Sequence, residues 1–431
     1  MYRKIMDFLE EWKNEEHRKP LILQGARQVG KTYAILEFGR THYENVAYFN
    51  FETNPKLNET FEENISPDYL IPILSHIAGQ TIVTEKTLIV FDEIQLCERA
   101  LTSLKYFYEE RPDYHIIVAG SLLGVAVNRA RFSFPVGKVD MKTLYPMDLE
   151  EFMIAMGEKS LVDQIKKCFE TNEPMPSVLH DAAMQLYRQY LVVGGMPECV
   201  MQFAETRDYI LIRHTQDTIL ASYLNDMSKY NNLNEIKKTR LAYDNITVQL
   251  SKKNTRFQYK LIKKGGRASE FENAIEWLCL SGIVSQVYKV EQIRKPLENY
   301  RDIDAFKIYV SDLGLLCAKK DIVANDVLYM VEELNDFKGG MVENYVNVQL
   351  TINGYNTYYW ETKRGAEIDF IIQREGKLIP IEVKSADNTR AKSLKVYMDK
   401  YKPDYAIKLS TKNFAFEDDK KIVPLYAAFC I

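Results

Sequence analysis

The sequence predicts an α/β protein whose first 155 residues form a layered fold around a mostly parallel sheet. Two observations predict it. Short apolar runs alternate with amphipathic helical stretches, the pattern of a strand–helix–strand fold. A glycine-containing segment, GARQVGKT (25–32), then joins one such run directly to a helix. The predicted strands are PLILQ (20–24), VAYFNF (46–51), TLIVFD (87–92) and HIIVAG (115–120), with helices at KTYAILEFGRTH (31–42) and ALTSLKYFYEE (100–110). Residues 156–235 are rich in helix formers. Residues 236–330 read as two helices followed by strands, and the final stretch mixes strands with helices at 338–354 and 388–401. Four domains result, at 1–155, 156–235, 236–330 and 331–431. That division suits a chain of 431 residues, which exceeds the size of one hydrophobic core.

Composition narrows the function classes. The 46% hydrophobic and 27% charged content is that of a globular protein, and a net charge of −4 gives no global attraction to nucleic acid. Any DNA contact must come from local patches. The six cysteines are scattered without a CxxC pair, as buried thiols in a reducing compartment are. No apolar run is long enough to span a bilayer, so the expectation is a cytoplasmic protein with no membrane contact.

The segment at 25–32 fits G-x-x-x-x-G-K-[ST], the P-loop pattern. Gly25 and Gly30 let the backbone turn, so that the N–H groups of Ala26, Arg27, Gln28 and Val29 and the helix N-terminus face phosphate oxygens. Lys31 then neutralises the β/γ-phosphates of ATP, and the Thr32 hydroxyl ligates Mg²⁺. Such a loop needs a strand ending in an acid, and TLIVFDE (87–93) provides one. Asp92 holds the Mg²⁺ shell in this reading, and Glu93 polarises the attacking water. A third strand ends at Ser121, placed to sense the γ-phosphate or to begin a turn.

A second constellation lies in EIDFIIQREGKLIPIEVK (367–384), two alternating runs around a Glu375-Gly376 turn, which predicts a β-hairpin. With those two residues as the loop, Asp369 faces Glu382 and Glu367 faces Lys384. Facing carboxylates about 5 Å apart between Cβ atoms repel unless a divalent cation lies between them. Glu343, on an upstream helix, offers a third oxygen. All histidines precede residue 215, so a metal here takes hard oxygen ligands and is Mg²⁺ or Mn²⁺. Finally, KLIKKGGRASEFENAIEWLCLSGIVSQVYKV (260–290) reads as a basic turn, a helix with Phe271, Ile275, Leu278 and Leu280 inward, and a strand. Lys252, Lys253, Arg256, Lys260, Lys263, Lys264 and Arg267 are either a DNA-binding patch of a winged helix or a solvated surface.

GARQVGKT, FDEIQ (91–95), AGSLLG (119–124), YPMDLEEF (145–152) and YLVVGGMPECV (190–200) follow one another in an order that resembles a family of bacterial and archaeal AAA+-type ATPases. Their C-terminal domain is nuclease-like and uncharacterised. The resemblance implies a P-loop NTPase core, a helical lid, a winged-helix-like segment and a C-terminal α/β domain of the restriction-endonuclease, or PD-(D/E)xK, type. It implies Lys31, Thr32, Asp92 and Glu93 in the roles above and Ser121 as sensor. In the terminal domain it implies Asp369, Glu382 and Glu343 as metal ligands and Lys384 as the charge-stabilising lysine. Where such proteins often carry Gly-Arg this chain has Gly137-Lys138, so an arginine finger falls to Arg129, Arg131 or another source. The function implied is ATP hydrolysis directed to DNA, by a homo-oligomer that completes its sites across subunits, with a terminal domain that binds or cuts DNA. The alternative is a nucleotide switch that binds protein partners.

Overall fold

The structure is a computed structural model that describes residues 1–120, 134–229, 233–250, 256–385 and 392–431. Ser121, Arg129, Arg131, Lys252 and Lys253 lie outside the described residues. The chain divides into two compact units, one of Met1–Tyr145 with Leu280–Gly282, the other of Pro146–Cys279 with Ile283–Ile431.

In the first unit, β1 (Leu21–Gln24), β2 (Asn45–Asn50), β3 (Thr87–Asp92), β4 (His115–Gly120) and β5 (Asp140–Thr143) form a sheet in the order β2-β3-β4-β1-β5. Every neighbouring pair is parallel. β3 and β4 are buried at every position, as strands covered on both faces must be. That is why TLIVF carries no charge until the sheet ends. Phe49, Phe51 and Phe61 pack on Phe91 at ring-centroid distances of 5.8, 5.9 and 5.6 Å. Burying each such ring contributes about 2–3 kcal/mol. β5 has no counterpart in the predicted strands. Its sequence DMKT is polar and only half-covered at the sheet edge, so it lacks an apolar signal.

This strand order positions the site. β4 lies between β1 and β3, so the loop leaving β1 and the acid ending β3 open on the same edge of the sheet, flanking the end of β4 at Gly120.

The second unit opens on a short helix, Leu149–Ala155. Asp148 and Glu151 close a capping box at its start, satisfying two otherwise unpaired N–H groups. Helices Lys159–Thr171, Ser177–Val193, Pro197–Thr206 and Tyr209–Lys229 follow, as the helix-rich composition predicts. The helix Ala268–Leu280 leads into an antiparallel hairpin of β6 (Val284–Val290) and β7 (Arg301–Val310). Phe271, Ile275 and Leu278 are buried as predicted, together with Trp277, whereas Leu280 is only half-covered. Two residues past Leu278 the helix has turned most of the way to its opposite side, so Leu280 falls off the apolar stripe.

The β6–β7 hairpin does not stand alone. β6 also pairs in parallel with β8 (Tyr358–Glu361), and the sheet continues through β9 (Glu367–Arg374), β10 (Lys377–Val383), β11 (Ala406–Ser410), β12 (Ala415–Glu417) and β13 (Lys420–Pro424). The order is β12-β13-β11-β10-β9-β8-β6-β7. The long helix Asn335–Ile352 is the one predicted at 338–354, and the helix Lys392–Tyr401 overlaps that predicted at 388–401. Among the described residues, no helix is long and apolar enough to cross a membrane. All six cysteines are free thiols, four of them buried.

Candidate nucleotide and carboxylate sites

The loop after β1 is held in a shape few residues allow. Gly25, Gln28 and Gly30 have φ of +146°, +65° and +90°. At Gly25 a Cβ would stand 2.1 Å from the Leu144 carbonyl oxygen, so no larger residue fits without moving β5's exit. Ala26 and Val29 are buried and pin the loop from beneath. Arg3, itself buried, donates to the Val29 carbonyl at 3.0 Å and to the Tyr145 carbonyl at 2.8 Å. Gly30's left-handed turn opens the helix Lys31–His42, whose first N–H groups face outward beneath the loop.

Lys31 is 7% exposed, and its ammonium donates to the Gly25 and Ala26 carbonyls at 2.9 and 2.7 Å. The charge therefore rests at the mouth of the loop. Thr32, one residue on, donates its hydroxyl to Asp92 Oδ2 at 2.8 Å across 60 residues of chain. Tyr48 of β2 donates to the same oxygen at 2.8 Å, and the Glu93 N–H reaches Asp92 Oδ1 at 3.0 Å. Asp92 is 4% exposed and bonded on both oxygens. The hydroxyl of Thr32 and the carboxylate of Asp92 form a hard-oxygen pair, which suits Mg²⁺.

Glu93 occupies the left-handed region with φ of +53°, which turns the chain sharply after the strand. Its carboxylate accepts from Gln95 Nε2. Burial raises the Glu93 carboxyl above its ordinary range; the Asp92 and Glu52 charges add to this, and Gln95 and Lys31 oppose it. Burial likewise pushes the Tyr48 hydroxyl up to about 12, so it stays protonated and donating at neutral pH. Sequence reasoning missed Arg3, Tyr48 and Gln95. Tyr48 had a signal, a polar tip in an otherwise apolar strand, but no motif links it to Asp92.

The second site lies on the eight-stranded sheet. The predicted hairpin forms, with Glu375 and Gly376 both left-handed at φ of +49° and +74°. The predicted register holds through Ile379↔Ile372, Pro380↔Ile371 and Ile381↔Phe370. Beyond it the ladder gives way, because the Val383 N–H bonds at 2.7 Å to the Asp369 side chain. Carboxylate oxygens of Glu343, Glu367 and Asp369 lie within 4.8 Å of one another. Glu382 stands apart from that trio. Its Oε1 pairs with Lys384 at 2.5 Å, and its Oε2 is buried without a partner.

A residue the sequence reading did not single out sits at the centre. Lys307 of β7 is 1% exposed, and its ammonium bridges Glu343 at 2.6 Å and Glu367 at 2.5 Å. Tyr309, two residues along the strand, donates its hydroxyl to the same Glu343 oxygen. Burial works against the Lys307 charge, but Glu343, Glu367 and Asp369 outweigh it and hold the ammonium protonated. Asp369 is pushed well above the carboxylate range, first by burial and then by the Glu343 and Glu382 charges. Glu343, Glu367 and Asp369 thus share one cluster with Lys307, and its oxygen donors fit a divalent cation, while Glu382 pairs with Lys384. The signal for Lys307 was present: one charge inside the apolar run AFKIYV.

The glycine-pinned loop opening a helix, with a hydroxyl-to-carboxylate bond to the acid strand one place removed, defines a P-loop nucleotide-binding domain. Comparison agrees: residues 17–153 match the model of an AAA domain. Residues 184–326 and 338–428 match two domains of unknown function, DUF8612 and DUF4143. No curated protein matches the chain. Among solved structures the fold is similar to the Walker-type ATPase PABY2304 of Pyrococcus abyssi, at 13% identity, 74% of this chain and 95% of that one, with a TM-score of 0.45. It is also similar to the ORC2 protein of Aeropyrum pernix in ADPNP–ADP complexes, at 12% identity, 76% and 94% coverage and a TM-score of 0.39. The ORC1 protein of Aeropyrum pernix in complex with DNA follows at 13% identity, 76% and 92% coverage and a TM-score of 0.30.

Proposed function

We propose that this chain binds ATP with Mg²⁺ at Gly25–Thr32, hydrolyses it, and couples hydrolysis to DNA. The observation that carries the reading is the 2.8 Å bond between Thr32 and Asp92, which joins the end of the loop to the acid strand where a phosphate-bound cation would sit. In this reading the backbone N–H groups of residues 26–30 cradle the phosphates. Lys31 leaves the Gly25 and Ala26 carbonyls to meet the β- and γ-phosphates. Thr32 and Asp92 would hold Mg²⁺, which would draw charge from the phosphate oxygens when bound. Glu93, ionised, takes the proton of the attacking water, and Gln95 orients its carboxylate. Ser121, which follows Gly120 in the sequence, is the proposed sensor, and an arginine from a second copy of the chain completes the site in a homo-oligomer.

The DNA-directed part rests on the exposed basic stretch Lys260, Lys263, Lys264 and Arg267, and on the carboxylate cluster of Glu343, Asp369, Glu382 and Lys384. That set is the PD-(D/E)xK arrangement, in which Glu343, Asp369 and Glu382 would hold the metal and Lys384 would stabilise charge at the attacked phosphate. A second reading is favoured by Lys307. Its buried ammonium already balances Glu343 and Glu367, as suits a nuclease-like domain that binds DNA or a protein partner without cutting.

ATPase assays with single-stranded, duplex and forked DNA at rising salt separate the readings. A DNA-directed enzyme is stimulated, and the stimulation falls steeply with salt as released counterions oppose binding. An ATPase indifferent to every DNA form overturns the DNA-directed reading in favour of the partner-binding switch.

A further inference from the structure

The second unit contains a cavity of about 240 Å³ that neither site uses. Four separate elements converge on it. Tyr187 and Arg188 come from the helix Ser177–Val193, and Lys338 from the helix Asn335–Ile352. Ser385 follows β10 and Thr411 follows β11, and the remaining wall is methionine and aliphatic. Among the described residues its lining holds two cationic side chains and two hydroxyl-bearing residues beside Tyr187, and no carboxylate.

Two donors there are orphaned. Arg188 Nε and the Tyr187 hydroxyl are both buried without a hydrogen-bond partner. Tyr187 is 1% exposed, and its ring is fixed by edge-on packing against Tyr345 at 4.9 Å, so the hydroxyl cannot swing out to water. Neither Arg188 nor Lys338 has a carboxylate partner among the described residues. Buried donors are normally paired, so these two call for a partner, water or ligand, in the cavity they face. A guanidinium fork, an ammonium and hydroxyl donors around one cavity select an anion rich in acceptor oxygens. The apolar wall favours one that carries a less polar body. The volume admits a phosphate with the first atoms of its ester.

We propose that this cavity is a phosphate-ester binding site, with Arg188 and Lys338 as its charged ligands and Tyr187 as a neutral donor. The site depends neither on the P-loop nor on the carboxylate cluster. The phosphate comes either from a nucleotide end or from a free phosphate, and the same titration distinguishes them.

The test is calorimetric titration of the full chain carrying Lys31→Ala, which removes the competing phosphate site in the loop. The probes are inorganic phosphate, a nucleoside 5′-monophosphate and its unphosphorylated twin, the nucleoside. Saturable binding of a phosphate-bearing probe is expected, weakened at least tenfold by Arg188→Met and by Lys338→Met, with no binding of the twin. Tighter binding of the nucleoside monophosphate identifies a nucleotide end; equal binding of inorganic phosphate identifies the free anion. Arg188→Lys keeps the charge while losing the fork and is expected to bind with intermediate affinity, which guards against misfolding of the methionine variant. Absence of saturable binding by both phosphate probes overturns the proposal, as does binding that Arg188→Met and Lys338→Met leave unchanged.

Discussion

The Tyr48 hydroxyl donates to Asp92 Oδ2 at 2.8 Å, the very oxygen that Thr32 also reaches. Two donors on one oxygen fix the carboxylate's rotamer before any cation arrives. Such preorganisation would lower the cost of forming the proposed metal site. Tyr48→Phe removes one neutral hydrogen bond, about 1 kcal/mol, or roughly fivefold in an equilibrium. The half-saturating Mg²⁺ concentration for ATP hydrolysis is expected to rise by that factor, while nucleotide binding in EDTA stays as it was. An unchanged Mg²⁺ dependence would remove Tyr48 from the site.

Glu93 carries a pH signature. Its carboxyl is raised chiefly by burial, and as the proposed base it must be ionised to act. The acid limb of the ATPase pH profile is therefore expected above the ordinary glutamate range. Gln95→Ala deletes the hydrogen bond that favours the charged form and should move that limb further up. A limb that moves down, or stays in place, would separate Gln95 from the base. The same shift bears on stability. A carboxyl raised on folding contributes stability below its unfolded value and loses it as pH rises through the folded one. Glu93→Gln is thus expected to gain melting temperature relative to the parent as pH rises, a trend that melting curves across the acid-to-neutral range would register.

Lys307 makes the carboxylate cluster tolerable without metal. Lys307→Met leaves Glu343 and Glu367 facing each other uncompensated. The cost is expected at about 2–3 kcal/mol, less than for a wholly buried pair because Glu367 is 36% exposed. Mg²⁺ or Mn²⁺ should recover much of it by taking the ammonium's place. Denaturant unfolding in EDTA and in Mg²⁺ measures both effects; equal stability in the two media would mean the carboxylates do not bind the ion.

At the terminal domain, Asp369→Ala is expected to abolish any metal-dependent DNA cleavage while sparing ATP hydrolysis. Cleavage that survives this change would exclude the cluster as a nuclease centre. If the parent does not cut DNA and Lys307→Met does, the buried ammonium is what holds the site inactive.

The reach of the sequence can be seen in particular residues. β3 and β4 were legible to the residue, because a strand covered on both faces must be largely apolar, and β3 stops where the charge of Asp92 appears. The loop was legible because backbone turning and charge neutralisation demand Gly25, Gly30, Lys31 and Thr32 in that order. β5 was not, since an edge strand of polar residues resembles a loop. The hairpin's register followed from its turn, yet Glu367 rather than Glu382 joins Glu343 and Asp369. That exchange arises where Asp369 takes the Val383 N–H and the ladder ends, a side-chain choice no alternation encodes. Lys307 and Arg3 act across distant segments, and local patterns do not register such pairings.

Glu93→Gln, compared with the parent for both ATP binding and ATP turnover in Mg²⁺, tests the central claim most directly. The account predicts that the variant retains the parent's nucleotide affinity while turnover falls by two orders of magnitude or more, roughly the scale of a lost general base. Normal turnover in Glu93→Gln, or a parent chain that neither binds nor hydrolyses ATP, would contradict it.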